Sequence, residues 1–156
     1  MIRHALFQSA VLLALTALAG ALTWHFHPER PELHLIAESA GPEEISIGDA
    51  LKRQEKDGAV WLDARQMAEF QKGHIPGALL LNEYDWENLL TNAFEFISQA
   101  PEGRPVIIYC DGQKCAASHA VRDKLRDTPI GDRELLVLHG GFPAWAAAKQ
   151  PIEKPD

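Results

Sequence analysis

The chain has 156 residues, 46% of them apolar, which fits one globular domain with a buried core and leaves room for one appended segment. Its 15 Lys and Arg stand against 22 Asp and Glu, a net charge of −7, so no basic surface for nucleic acid is expected. Its 2 cysteines are too few for a disulfide framework, and both fall in one short stretch, which points to chemistry or local redox rather than to stapling.

Residues 1–24 open on Arg3, the only formally charged residue before Glu29, and run without charge from 5 to 24 through Val11-Leu12-Leu13-Ala14-Leu15 to Trp24. A helix of about 20 residues reaches roughly 30 Å, the thickness of a bilayer core. A hydrophobic N-terminal helix in the membrane is therefore expected, as an uncleaved signal anchor or, alternatively, as a signal peptide cut after Ala17-Leu18-Ala19. The apolar character continues through Ala21 and Leu22 to an interfacial tryptophan, which favours the anchor. With Arg3 on the cytoplasmic side, the positive-inside bias sends the remainder to the periplasmic or extracytoplasmic face. Cleavage would instead release it into the periplasm.

Residues 25–43, with Pro28, Pro31 and Pro42, read as a tether carrying a short edge strand at Leu33-His34-Leu35-Ile36. His25, His27 and His34 are read as solvated, not as metal ligands.

The domain proper is placed at residues 44–153. Ser46 and Asp49 form a capping box for a helix to about Lys56, closed by Asp57-Gly58. A buried strand at 59–62 then delivers Asp63-Ala64-Arg65 to its carboxyl end, the edge of an α/β sheet where ligand sites gather. Asp63 and Arg65 are expected to be an ion pair that braces this loop. Residues 66–71 form a helical turn with Met67 and Phe70 inward, and Gly73-His74-Ile75-Pro76-Gly77 connects tightly to a strand at 78–81. His74 is read as a brace of that turn. A helix at 85–98 repeats Trp86, Leu89, Leu90, Ala93, Phe94 and Ile97 at spacings that put them in the core.

The most informative stretch follows. Val106-Ile107-Ile108-Tyr109 is a β-branched run ending on Cys110; Asp111, Gly112, Gln113, Lys114 and Cys115 make a polar loop; Ala116-Ala117-Ser118 opens a helix. A loop entering a helix N-terminus turns backbone N–H groups toward one point, and the helix dipole adds positive potential there. Such a field favours thiolate over thiol, making Cys110 a candidate nucleophile. The helix carries Ala117, Val121 and Leu125 inward, with Arg122, Asp123, Lys124 and Arg126 toward water. Cys115 and His119 share a helix face, but no complete ligand set accompanies them and no metal is expected. A last strand at 135–138 precedes His139-Gly140-Gly141-Phe142-Pro143-Ala144-Trp145, a sharp turn into a short helix. Strands alternating with helices imply an α/β fold, a mainly parallel sheet with helices on both faces.

Four separated blocks together resemble the rhodanese-like domain: Trp61-Leu62-Asp63-Ala64-Arg65, Glu69-Phe70 ahead of Gly73-His74-Ile75-Pro76-Gly77-Ala78, Tyr109-Cys110 with its loop, and Leu138-His139-Gly140-Gly141-Phe142-Pro143-Ala144-Trp145. The resemblance implies a single rhodanese-like domain and a sulfurtransferase in which Cys110 takes a sulfane sulfur from a small donor, becomes a persulfide and passes the sulfur to a thiol or cyanide acceptor. It implies that residues 111–115 form the anion cradle, that Asp63 and Arg65 support it, and that no cofactor takes part. Many relatives carry a glycine three places after the cysteine and an arginine near the loop's end. Here Gly112 comes a place earlier and Lys114 supplies the charge, without arginine's bidentate grip on an oxyanion. Phosphatases of the same fold place an arginine six residues after the cysteine, where this chain has Ala116, so ester hydrolysis is not expected. Two alternatives stay open: a thiol redox protein in which Cys115 is the candidate resolving thiol, and a non-catalytic binding module.

Overall fold

The computed structural model describes residues 8–9, 11–19, 41–112 and 116–154. The chain divides into two units, Met1–Ser39 and Ala40–Asp156. In the first, residues 11–19 are helical and expose Leu12, Leu13, Leu15 and Leu18. Among the described residues no helix is long and apolar enough to cross a membrane. Part of the expected 5–24 span, at 5–7, 10 and 20–24, and the whole of the expected strand at 33–36 lie outside the described residues.

The second unit is built on a five-stranded sheet. Its elements are β1 (Glu44–Ile45), α1 (Ile47–Lys56), β2 (Val60–Asp63), α2 (Met67–Lys72), β3 (Leu79–Leu80), α3 (Trp86–Gln99), β4 (Val106–Tyr109), α4 (Ala116–Arg126), β5 (Leu135–Leu138) and α5 (Gly141–Ala147). The strand order is β1-β5-β4-β2-β3 and every neighbouring pair is parallel. The connection from β2 leaves toward β3 while that from β4 leaves toward β5, so the carboxyl ends of β2 and β4 flank the point where the winding reverses. Parallel α/β sheets place ligand crevices there. The Asp63 loop and the Cys110 loop leave from those two strand ends.

Alternation along the central strands divides the core. Val60 and Leu62 of β2 and Val106 and Ile108 of β4 face one layer, with Ala93 and Ile97 of α3 and Val121 and Leu125 of α4. Trp61, Ile107 and Tyr109 face the other, with Ala50 of α1 and Trp145 just inside α5. All four β4 side chains are fully buried, each contributing roughly 1.5–3 kcal/mol. The continuous apolar run that made this strand visible in the sequence is thus explained: both faces are covered. Cys110 continues the same alternation into the α3 and α4 layer.

The capping box forms as expected, with the Ser46 hydroxyl accepting from the Asp49 N–H at 3.2 Å. Several expectations are corrected. Met67 is 48% exposed, as α2 buries no residue fully. Phe70 instead stacks on His74, rings 3.8 Å apart and nearly parallel. Phe94 is exposed, since the inward stripe of α3 narrows to Ala93 and Ile97 with Trp86, Leu89 and Leu90 half-buried. Arg122 does not face water: it is 7% exposed, its Nη1 2.6 Å from Glu43 Oε2. This pair ties α4 to the segment entering β1, a two-residue edge strand with no apolar run to announce it.

Candidate functional site

Cys110 leaves β4 at the sheet's carboxyl edge and is pinned from two sides. The Ala64 N–H donates to the Tyr109 carbonyl at 2.8 Å, carrying the β2–β4 pairing into the two loops. The Phe142 N–H donates to the Cys110 carbonyl at 2.7 Å, fastening the next peptide to the start of α5. That approach needs Gly141: its φ is +56°, and a Cβ there would lie 2.2 Å from the Cys110 oxygen. The Gly140-Gly141 turn seen in the sequence is therefore part of the site's framework.

The Cys110 side chain is buried, 2% exposed. Its Sγ accepts a hydrogen bond from the Ser118 hydroxyl at 3.3 Å and lies 3.6 Å from the Gly112 carbonyl, to which a thiol S–H can donate. Ser118 is buried in the first turn of α4. A hydroxyl that donates to sulfur stabilises an anionic sulfur more than a neutral one. Sequence reasoning missed Ser118 because the stripe was drawn through Ala117, although 118, 121, 122 and 125 also share one helix face and are the residues buried. Gln113, Lys114 and Cys115 lie outside the described residues.

Arg65, 5% exposed, connects the surrounding pieces. Its Nε lies 3.0 Å from both oxygens of Asp63, and its Nη2 donates to Asp63 Oδ2 and to the Gly73 carbonyl, each at 2.7 Å. The Asp63 carboxylate also accepts from the Arg65 backbone N–H at 2.9 Å. Burial alone would make Arg65 easier to deprotonate, but the hydrogen bonds and charge of Asp63 outweigh it and hold the guanidinium protonated. The guanidinium carbon lies 4.1 Å from the centre of the Phe142 ring, a stacked cation–π contact. Nη1 faces Asp111 Oδ1 at 3.7 Å. One side chain thus joins the β2 loop, the Gly73 turn, the Cys110 loop and α5. Asn82 secures it further, its amide donating to the Arg65 carbonyl at 2.9 Å.

Other titratable groups belong to the frame. Burial drives the Tyr109 phenol far above its ordinary range, and its hydroxyl accepts from the Ile75 N–H at 3.1 Å. The His74 Nδ1 lies 3.1 Å from the Phe70 carbonyl, the bracing arrangement expected of it. Glu44 spans two histidines, with Oε2 2.8 Å from His139 Nδ1 and Oε1 3.2 Å from His119 Nε2. Partial burial opposes its ionisation, yet the Gly41 N–H and His139 prevail and hold the carboxyl below its ordinary range. No group of three or more metal-ligating side chains is assembled among the described residues.

At Asp111, the residue after Cys110, opens a groove of about 560 Å³ lined also by Arg65, Glu69, Lys72, Gly73, Phe142, Ile152 and Lys154. A larger cleft of about 740 Å³ lies along α1, β1 and β5 and includes no residue of the Cys110 loop. Of the two, the smaller groove includes a residue of the Cys110 loop, Asp111.

A parallel sheet in this order, with a cysteine loop and an arginine–carboxylate pair at its carboxyl edge, defines a class of small α/β domain, and comparison with known proteins gives its family. The Rhodanese-like domain family matches residues 46–148, and the chain belongs to that family. It is 31% identical over 107 residues to the thiosulfate sulfurtransferase GlpE of Pseudoalteromonas translucida, covering 67% of this chain and 89% of that one. Two solved structures share the fold. One is a rhodanese-like domain protein from Staphylococcus aureus, with TM-score 0.52 and 21% identity over 73% of this chain and 99% of that one. The other is a thiosulfate sulfurtransferase from Pseudomonas aeruginosa, with TM-score 0.56 and 22% identity over 75% of this chain and 20% of that one.

Proposed function

We propose that this protein is a sulfurtransferase that carries sulfane sulfur as a persulfide on Cys110. The observation that carries the reading is the Cys110 sulfur itself, buried at the switch point of the sheet, receiving the Ser118 hydroxyl and held by a backbone fastened to both neighbouring loops. The family membership and the similarity to a protein named as a thiosulfate sulfurtransferase support it. In the first half-reaction the Cys110 thiolate attacks the outer sulfur of the donor. The new S–S bond forms as the donor's own S–S bond breaks, and the leaving group departs with the electron pair. In the second, an acceptor thiolate or cyanide attacks the terminal sulfur and regenerates the Cys110 thiolate. No external oxidant or reductant enters either step. Ser118 and the amides of the 111–115 loop stabilise the anionic sulfur before and after transfer.

The uncharged stretch at residues 5–24 holds the domain to the membrane, with the domain on the periplasmic or extracytoplasmic side. The domain's partners are a small sulfur donor and a thiol acceptor.

The test is mass spectrometry of the full chain after incubation with thiosulfate or a low-molecular-weight persulfide. One added sulfur on Cys110, removed by cyanide and absent from Cys110→Ser, is expected. Cyanide-labile sulfur that survives in Cys110→Ser overturns the assignment, and sulfur located on Cys115 favours the redox alternative.

A further inference from the structure

The edge strand β1 reaches both elements that grip Cys110. On one side, the Ser118 hydroxyl in the first turn of α4 donates to Cys110 Sγ at 3.3 Å. The next residue, His119, has its Nε2 3.2 Å from Glu44 Oε1. On the other side, the Phe142 N–H reaches the Cys110 carbonyl from the Gly140-Gly141 turn. The residue before that turn, His139, has its Nδ1 2.8 Å from Glu44 Oε2, and its backbone N–H donates to the Ile45 carbonyl at 2.9 Å. Burial opposes ionisation of Glu44, and the Gly41 N–H, His139 and His119 together overcome it. His139 Nε2 is buried with no hydrogen-bond partner among the described residues, which leaves Glu44 as the polar anchor of that ring. The charges that share the cleft with Glu44 pair with one another, Asp49 with Lys52, Arg53 with Glu134 and Lys56 with Asp57. Glu43, beside Glu44, contacts Arg122 and Arg126 further along α4. Residues 119, 122 and 126, three and four apart, line one face of that helix. Clamping this face to 43–44 resists rotation of α4 about its axis, the motion that would carry the Ser118 hydroxyl off the sulfur.

We propose that Glu44 is a positioning residue for the Cys110 thiolate: its carboxylate, set between His119 and His139, fixes the first turn of α4 so that the Ser118 hydroxyl stays aimed at the sulfur. The role rests on the sulfurtransferase reading for what that thiolate then does. Glu44 touches neither the sulfur nor the Cys110 loop. It acts through His119 on the helix that delivers Ser118, and through His139 on the turn that holds the Cys110 carbonyl. A hydrogen bond from a hydroxyl favours anionic over neutral sulfur only while the donor is kept in line, so holding the donor helix still is what makes Ser118 effective.

The experiment follows alkylation of Cys110 by iodoacetamide against pH in the full chain, located by peptide mass spectrometry. Wild type, Glu44→Gln, Ser118→Ala and the double variant are compared. The midpoint of each profile reads ionisation of the thiol, and the plateau reads access to it. Losing an ordinary hydrogen bond to the anion, as in Ser118→Ala, should raise the midpoint by about 0.7 pH unit, about fivefold in thiolate fraction. Glu44→Gln, which loosens that bond without removing it, should raise the midpoint by about 0.4 pH unit on the same scale. Because Glu44 acts through Ser118, the double variant should match Ser118→Ala and not exceed it. His119→Gln, which keeps Glu44 joined to His139, should raise the midpoint likewise and carries the test if Glu44→Gln fails to fold. Removing a negative charge acts through space in the opposite direction and lowers the midpoint. A fall, an unchanged midpoint with an altered plateau, or additive shifts in the double variant therefore overturn the positioning role. Wild type that shows the expected midpoints yet takes no sulfur from thiosulfate or a persulfide overturns the sulfurtransferase reading and leaves the role of Glu44 standing.

Discussion

Replacing Gly141 by alanine puts the close approach between α5 and the Cys110 peptide to a quantitative test. The backbone at Gly141 has φ +56°, and holding a residue with a Cβ in that region costs about 1–2 kcal/mol. The added carbon would also lie 2.2 Å from the Cys110 oxygen, more than an ångström inside ordinary contact. Moving that carbonyl weakens the 2.7 Å bond from the Phe142 N–H, worth about 1 kcal/mol, and forcing the extra volume in adds about 1–3 kcal/mol. The expected loss is about 3–6 kcal/mol. Gly77→Ala is the matched control: φ is +72° there, but nothing lies within 4 Å of its added Cβ, so about 1–2 kcal/mol should be lost. Urea unfolding of both variants, compared through midpoint and slope, isolates the clash as the difference between them. Equal losses at the two glycines would show that the Cys110 peptide yields freely and that Gly141 does not hold the loop in place.

Ser118→Ala removes the hydroxyl donating to Cys110 Sγ and should cost about 1 kcal/mol of anion stabilisation. Thiol titration against pH should show the Cys110 pKa rising and sulfur loading slowing together, while Ser118→Thr restores both. Arg65→Ala strands the fully buried Asp63 carboxylate and should destabilise the domain by about 3–5 kcal/mol. Arg65→Lys should recover only part of that in thermal melts, because an ammonium cannot reproduce the fork that grips Asp63 and the Gly73 carbonyl. Glu44, whose carboxyl is held below its ordinary value, contributes stability that is fully present above pH 4.5 and lost as pH falls toward its lowered folded value. Stability of Glu44→Gln should accordingly fall less steeply than wild type across that acid range in urea titrations. Parallel slopes would show that the histidine contacts do not stabilise the ionised form.

What the sequence disclosed depended on how local each cause was. Strands β2, β4 and β5 were legible because burial on both faces produces apolar runs that need no partner to be recognised. The Asp63 and Arg65 brace and the Gly140-Gly141 turn were legible for the same reason, as short spacings with a backbone meaning. Strand β1 was not: Glu44 and Ile45 pair with Val137 and Leu138 across the domain, and a two-residue edge strand has no period of its own. Arg122 looked solvated because its partner Glu43 lies far away in sequence. Phe94 was misplaced because apolar spacing marks a helix face without fixing how much of it the sheet can cover. Ser118 was hidden by its polarity, though its spacing from Val121 and Leu125 was in plain view.

The residues lining the groove differ in their freedom to vary. The positions of Asp63, Gly73, Asp111 and Phe142 are all referred to one buried cation, Arg65, so a change made to widen the opening among them also loosens the domain. Lys72, Ile152 and Lys154 are exposed side chains outside the buried core. New preferences can be written on those three positions at little cost in stability, whereas the residues gathered on Arg65 keep the cysteine loop and the fold as a single inheritance.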